Sequence, residues 1–158
     1  MSSEIPAFPI KTMLQSNNWS CLPTAAAMLL KVLPKEIFEF LGHDGSEILW
    51  PEFEDPQRRR GFHIQEIVEF ALTKHIMFLP IEPLPALCPT DDWPLDKAYV
   101  VERKTPFEDY IVRRPGLLLG THEGRRHAVA WDRHKIHDPM GRRYGIEEFV
   151  IHVFYAMY

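Results

Sequence analysis

The hydrophobic pattern of this chain changes character at Pro115, and that change limits the folds open to it. Before Pro115 the apolar residues recur mainly at helical spacing; after it they stand in short extended blocks bounded by turn residues. Leu117-Leu118-Leu119 is a continuous apolar run, residues 122–125 supply a turn, and residues 127–131 return antiparallel. A third short strand is expected at 135–137, a helical turn at 146–149, and a last strand at 150–158 that closes the sheet. Helices first and a strand meander afterwards describe an α+β domain, with an N-terminal helix packed across a C-terminal antiparallel sheet.

The first half supplies the helices. Residues 22–32 form the first, where Pro23 is tolerated because its missing N–H falls in the unpaired first turn, and Pro34 is expected to stop it. Residues 35–41 read as a second short helix with Gly42 past its end, and residues 43–61 as a long connection. The clearest amphipathic stretch is 63–74, whose face of Ile64, Ile67, Val68, Ala71 and Leu72 is expected to pack on the sheet. Residues 76–81 suit a strand, and prolines at 80, 83, 85, 89 and 94 make the next stretch a rigid loop. A short extended piece is expected at 99–101, and a helix at 107–112 opened by Thr105-Pro106.

One cysteine is conspicuously placed among these elements. Cys21 stands just before the apolar helix and not within its buried stripe, in Gln15-Ser16-Asn17-Asn18-Trp19-Ser20-Cys21-Leu22-Pro23. More than a hundred residues later come His127, in a run that reads as a strand, and Asp138, in Asp138-Pro139-Met140-Gly141. A thiolate is the nucleophilic form of cysteine, and a helix N-terminus together with a nearby imidazolium favours it. His127 is the candidate imidazole, and Asp138 would accept from its other ring nitrogen and fix the tautomer. Gln15 can donate from its side-chain amide, beside the backbone N–H of Cys21, to an oxyanion formed on thiolate attack.

These residues resemble the pattern of papain-like cysteine peptidases, closest to the small bacterial branch that includes the bacteriocin-leader peptidases. Five residues separate Gln15 from Cys21, as in that superfamily, and His127-Ala128-Val129-Ala130-Trp131-Asp132 followed by Ile136-His137-Asp138-Pro139-Met140-Gly141 is similar to its histidine strand and aspartate turn. The specific motifs cover residues 15–28 and 127–141. The resemblance implies a papain-like fold and hydrolysis of a peptide or isopeptide bond through Gln15, Cys21, His127 and Asp138, with no cofactor. Many relatives carry a glycine directly after the nucleophile, where this chain has Leu22, which is expected to crowd the oxyanion region. Glutamine deamidation and acyl transfer start from the same thioester, and a non-catalytic binding module that keeps the shape is a further reading.

Each residue also has a plainer role open to it. Asp-Pro-x-Gly is ordinary turn chemistry. The neighbouring His122, His134 and His137 raise the question of a metal, but their spacing fits no strong ligand pattern, so no metal is expected and His134 and His137 read as solvated hairpin residues. Trp19 either lines a substrate groove or packs. Cys88 has no histidine strand or helix start beside it and reads as structural.

Charge and composition complete the expectations. Residues 103–143 hold ten Lys or Arg against five Asp or Glu, a net of +5, leaving −9 for the rest of a chain whose total is −4. Arg126 and Arg142 flank the His127 and Asp138 motifs and either favour an acidic or carboxylate-bearing peptide or protein substrate or are simply solvated at the hairpin ends. Overall acidity and the lack of a basic helix or aromatic-basic sheet motif argue against nucleic acid. At 158 residues and 46% hydrophobic content, residues 1–158 suit one domain with a core that needs no disulfide. Two unpaired cysteines, no basic apolar leader and no bilayer-length apolar run point to a soluble cytoplasmic protein with no membrane partner, with export by a signal-less route left open.

Overall fold

A computed structural model describes residues 4–83 and 106–158. The elements run α1 (Cys21–Leu30), α2 (Pro34–Leu41), α3 (Ile64–Thr73), β1 (Phe78–Ile81), α4 (Phe107–Ile111), β2 (Gly116–His122), β3 (Arg125–Trp131), β4 (Ile136–His137), β5 (Arg143–Tyr144), a 3-10 turn (Ile146–Glu148) and β6 (Val150–Met157). The fold is α+β, and its one described sheet has six strands in the order β1-β6-β2-β3-β4-β5, every neighbouring pair antiparallel. The expected strand at 99–101, the prolines 85, 89 and 94, and Cys88 lie outside the described residues.

α1 is the central element. Ala25, Ala26, Ala27, Met28 and Leu29 are all buried, so the helix is enclosed on every side and has no solvent face. It lies against β3 and β2, and alanines fill both sides of the contact: Ala25–Ala27 from the helix and Ala128 and Ala130 from the strand. Small side chains let a helix and a strand approach closely, which brings the start of α1 near the start of β3. A second core, of Leu118, Val129, Trp131, Ile136, Tyr144 and Phe154 with Phe107 and Ile111 of α4, fills the sheet's other face, as the two-residue alternation of β2 and β3 requires.

Several local expectations need correction. Pro34 does not stop α1: that helix ends where Lys31 turns left-handed (φ 57°), and Pro34 instead opens α2, where its missing N–H costs nothing. α3 packs chiefly on α1 and α2 and not on the sheet; Leu72 is exposed at 54%, and Phe70, three residues after Ile67, takes the buried place. The reciprocal cap at its start, His63 Nδ1 accepting from Gln65 and Glu66 accepting from the N–H of His63, fixes its first turn. β6 does not close an edge but runs between β1 and β2. The 43–61 connection doubles back on itself, with Ile48 bridged to Arg59 and the N–H of Arg60 donating to Glu47.

Two features set up the region around His127. The β2–β3 hairpin turns on Glu123 and Gly124, both at positive φ (50° and 76°), as a two-residue turn between right-twisted strands demands. Opposite His127 sits Gly120, where the β2–β6 register shifts; a Cβ there would lie 1.8 Å from the carbonyl oxygen of Val150, so only glycine fits. Among the described residues, no helix is long and apolar enough to cross a membrane.

Candidate active site

Cys21 is the first residue of α1, half-buried and free of any disulfide, immediately after the fully buried Ser20. Its sulfur therefore sits where the helix's first N–H groups lack intrahelical partners. Leu22, expected to crowd this region, is 8% exposed and belongs to the core around α1. Its bulk is turned into the protein.

His127 lies near the start of β3, and its ring joins two elements. Nε2 donates to Asp138 Oδ1 at 2.7 Å, and the ring also interacts with the Cys21 side chain, which favours its charged form. Because an ionised carboxylate only accepts, the Asp138 contact puts a proton on Nε2 and leaves Nδ1 for the thiol. Burial disfavours the charged ring, but the bond to Asp138 and the interaction with Cys21 outweigh it and raise the His127 pKa to about 9. Burial likewise opposes ionisation of Asp138, yet bonds from His127, Tyr144 and the Met140 N–H hold its pKa at about 2. The pair is an imidazolium and a carboxylate at neutral pH.

Asp138 serves the turn and the histidine at once. Its Oδ1 accepts from Met140 N at 2.7 Å as well as from His127, its own carbonyl accepts from Gly141 N at 2.8 Å, and its N–H donates to the Arg142 carbonyl at 2.8 Å. Turn chemistry and the bond to His127 are therefore compatible: one oxygen accepts both.

Gln15 reaches the same region by its backbone. The segment before α1 is laced along the β3–β5 end of the sheet: Phe8 N donates to the Asp132 carbonyl at 2.8 Å, Leu14 bridges to Met140, and Gln15 N donates to the Pro139 carbonyl at 2.7 Å. One N–H of the Gln15 side chain is held by the Asn17 carbonyl, which leaves its second N–H for a ligand. Its Oε1 is buried with no hydrogen-bond partner.

No protein-family model, no curated protein and no solved structure matches this chain.

The flanking residues named from sequence fall differently. Trp19 is half-buried and packs against the 43–61 connection: the Arg59 guanidinium covers its ring at 4.2 Å and its Nε1 donates to the Asp44 carbonyl at 3.0 Å, which ties that connection to the segment beside Cys21. Arg126 is exposed on β3 next to His127. Arg142 is exposed and leans on the hairpin, with one nitrogen 3.4 Å from His122 Nε2 and another 3.8 Å from Glu123. His134 is exposed and donates to the Ile5 carbonyl at 2.7 Å.

His137 is not solvated, as the hairpin pattern suggested. It is buried, with Nε2 donating to Asp132 Oδ2 at 2.8 Å and Nδ1 accepting from the Thr12 hydroxyl at 2.7 Å. The cause is the N-terminal segment, which covers this side of β4. Asp132 also accepts from the N–H groups of His134 and Lys135, and burial notwithstanding these bonds lower its pKa. Among the described residues, no three His, Cys, Asp or Glu side chains gather as a metal site.

Sequence reading missed Tyr144, whose hydroxyl donates to Asp138 Oδ2 at 2.6 Å inside the protein. A signal for it existed. The Asp138-Pro139-Met140-Gly141 turn sends the chain back antiparallel, and a buried tyrosine soon after a reversal must find a partner for its hydroxyl.

Proposed function

We propose that the protein is a thiol hydrolase of papain-like architecture that cleaves a peptide or isopeptide bond. The carrying observation is that His127 is bonded to Asp138 through Nε2 and feels the Cys21 side chain, both of which favour its charged form. A nucleophile at a helix start, packed on an antiparallel sheet that holds the imidazole and carboxylate, supports the papain-like reading.

The chemistry is set by the protonation states. Cys21 sulfur attacks the carbonyl carbon, and negative charge develops on oxygen, where the Cys21 backbone N–H and the second Gln15 amide proton donate. His127 gives its Nδ1 proton to the departing amine as the C–N bond breaks, leaving an acyl-thioester. Water then adds to the thioester, losing a proton to His127, and the carboxylic acid product leaves as the thiolate is restored. Asp138 keeps the ring's orientation throughout. Cys21 must stay reduced for this, as it would in the cytoplasm. Exposed Arg126 favours substrates with acidic groups near the cleaved bond.

The test is cleavage of a peptide library read by mass spectrometry, with Cys21→Ala as control. Scission lost in the variant supports the proposal. A Cys21-dependent gain of about one dalton without scission would move the reading to glutamine deamidation, and no Cys21-dependent product from peptide or isopeptide substrates would overturn it.

A further inference from the structure

Asp138 is completely buried, so no solvent can align its carboxylate. Its orientation depends on donors from the protein. Oδ1 is occupied by His127 Nε2 and the Met140 N–H, both at 2.7 Å, while Oδ2 is held by the Tyr144 hydroxyl at 2.6 Å. Without the hydroxyl, the carboxylate keeps donors on one oxygen alone and is free to swing about its Cβ–Cγ bond, which would carry Oδ1 out of line with the ring. A buried carboxylate oxygen without a donor is also a costly state that the site would rearrange to avoid.

Tyr144 is itself clamped. It sits opposite Ile136 in the β4–β5 pairing, and its ring stacks face to face on His122, centroids 4.5 Å apart and planes 10° from parallel. His122 is fixed in turn: Nδ1 donates to the Glu148 carbonyl at 3.0 Å, and Nε2 lies 3.4 Å from Arg142 and 3.7 Å from the Glu123 carboxylate. A continuous set of contacts therefore runs from Arg142 on the surface through His122 and Tyr144 to Asp138 and His127.

We infer that Tyr144 is a positioning residue, locking the Asp138 carboxylate and through it the His127 ring in line with Cys21, with His122 as the clamp that holds Tyr144. This rests on the thiol-hydrolase reading of the site. It assigns Arg142 a supporting place behind His122, where sequence had put it against substrate.

The experiment is a double-mutant cycle of Tyr144→Phe and Asp138→Ala, read by turnover and by the rate of Cys21 alkylation with iodoacetamide at pH 7. Tyr144→Phe keeps the ring and its stacking and removes only the hydroxyl. We expect it to lower kcat and the alkylation rate about tenfold with KM within about twofold, as misalignment of a reacting group does. In the Asp138→Ala background the same change should cost less than about twofold, because its route is already cut. His122→Ala, which leaves the hydroxyl in place, should slow alkylation about threefold by loosening the clamp. Should Tyr144→Phe fail to fold, that variant carries the test.

Native rates in Tyr144→Phe together with a lowered melting temperature would show a purely structural tyrosine and overturn the inference. So would effects of Tyr144→Phe and Asp138→Ala that simply multiply. Alkylation separates this failure from failure of the enzyme reading: a rate unchanged by His127→Ala sinks the thiol-hydrolase proposal, whereas a rate that falls with His127→Ala but not with Tyr144→Phe sinks only the role of Tyr144.

Discussion

The backbone N–H of Gln15 donates to the carbonyl of Pro139 at 2.7 Å, joining the segment before α1 to the turn that carries the Asp138 carboxylate. One hydrogen bond thus ties the proposed oxyanion donor to the proposed orienting group. The Leu14–Met140 bridge beside it extends the same tie.

Gln15→Ala should lower kcat about 10²–10³-fold, the usual loss for one oxyanion donor. KM and the rate of Cys21 alkylation should stay near native, because the amide acts on the transition state and not on the thiol. Steady-state kinetics beside an alkylation time course check this, and a parallel fall in both rates would show that Gln15 supports the thiol or the fold instead.

The ionised pair predicts how stability and activity depend on pH. His127 has a raised folded pKa, about 9 against 6.5, so its contribution is complete below about 6.5 and is lost as pH rises through 9. Asp138 has a depressed one, about 2 against 3.8, so its contribution is complete above about 3.8 and is lost as pH falls through 2. The melting-temperature gap between native protein and His127→Ala should be widest between about pH 4 and 6.5 and close toward pH 9 and above. Turnover should likewise decline above about pH 9. Thermal melts across that range test the sign; a gap that widens with pH contradicts it.

His137→Ala should destabilise the protein by about 1–3 kcal/mol, since it leaves the buried Asp132 and the Thr12 hydroxyl each short of a partner. Thr12→Val, which removes one bond, should cost about 1 kcal/mol. Both should speed proteolysis within residues 4–15, because that segment loses part of its hold on β4. Denaturant melts and limited digestion with mass-spectrometric mapping read these effects.

Placing glycine after Cys21 should not raise turnover. Leu22 faces the core, so Leu22→Gly should cost about 3–5 kcal/mol through lost packing and helix propensity, with no gain in turnover per folded molecule. Denaturation curves and active-site titration decide it; a stable, faster variant would show that Leu22 does obstruct the site.

These outcomes trace which parts of the molecule were legible beforehand. Patterns that depend on a residue's own neighbours read well: the apolar helix after Cys21, the Glu123-Gly124 hairpin turn, and the Asp138-Pro139-Met140-Gly141 reversal all carry their cause in local sequence. Gln15, Cys21, His127 and Asp138, singled out by chain order, meet in the fold only through contacts between distant segments: Gln15 N bonds to the Pro139 carbonyl, and His127 to Asp138. What the sequence hid depends on distant segments. His137 looked solvated because nothing near it in the chain announces that residues 4–15 will cover β4. β6 looked like an edge because alternation gives a strand's faces and not its neighbours. Tyr144, Trp19 and Arg142 owe their roles to contacts with Asp138, Arg59 and His122, which only the assembled fold supplies.

The most direct test of the central claim, that His127 activates Cys21, is the rate of iodoacetamide alkylation of Cys21 relative to Cys88, followed by peptide mass spectrometry from pH 5 to 10 in native protein and His127→Ala. Cys21 should react at least about tenfold faster than Cys88 near pH 6–7, and His127→Ala should abolish the advantage. Equal rates for the two cysteines across the range, unchanged by the substitution, would contradict it.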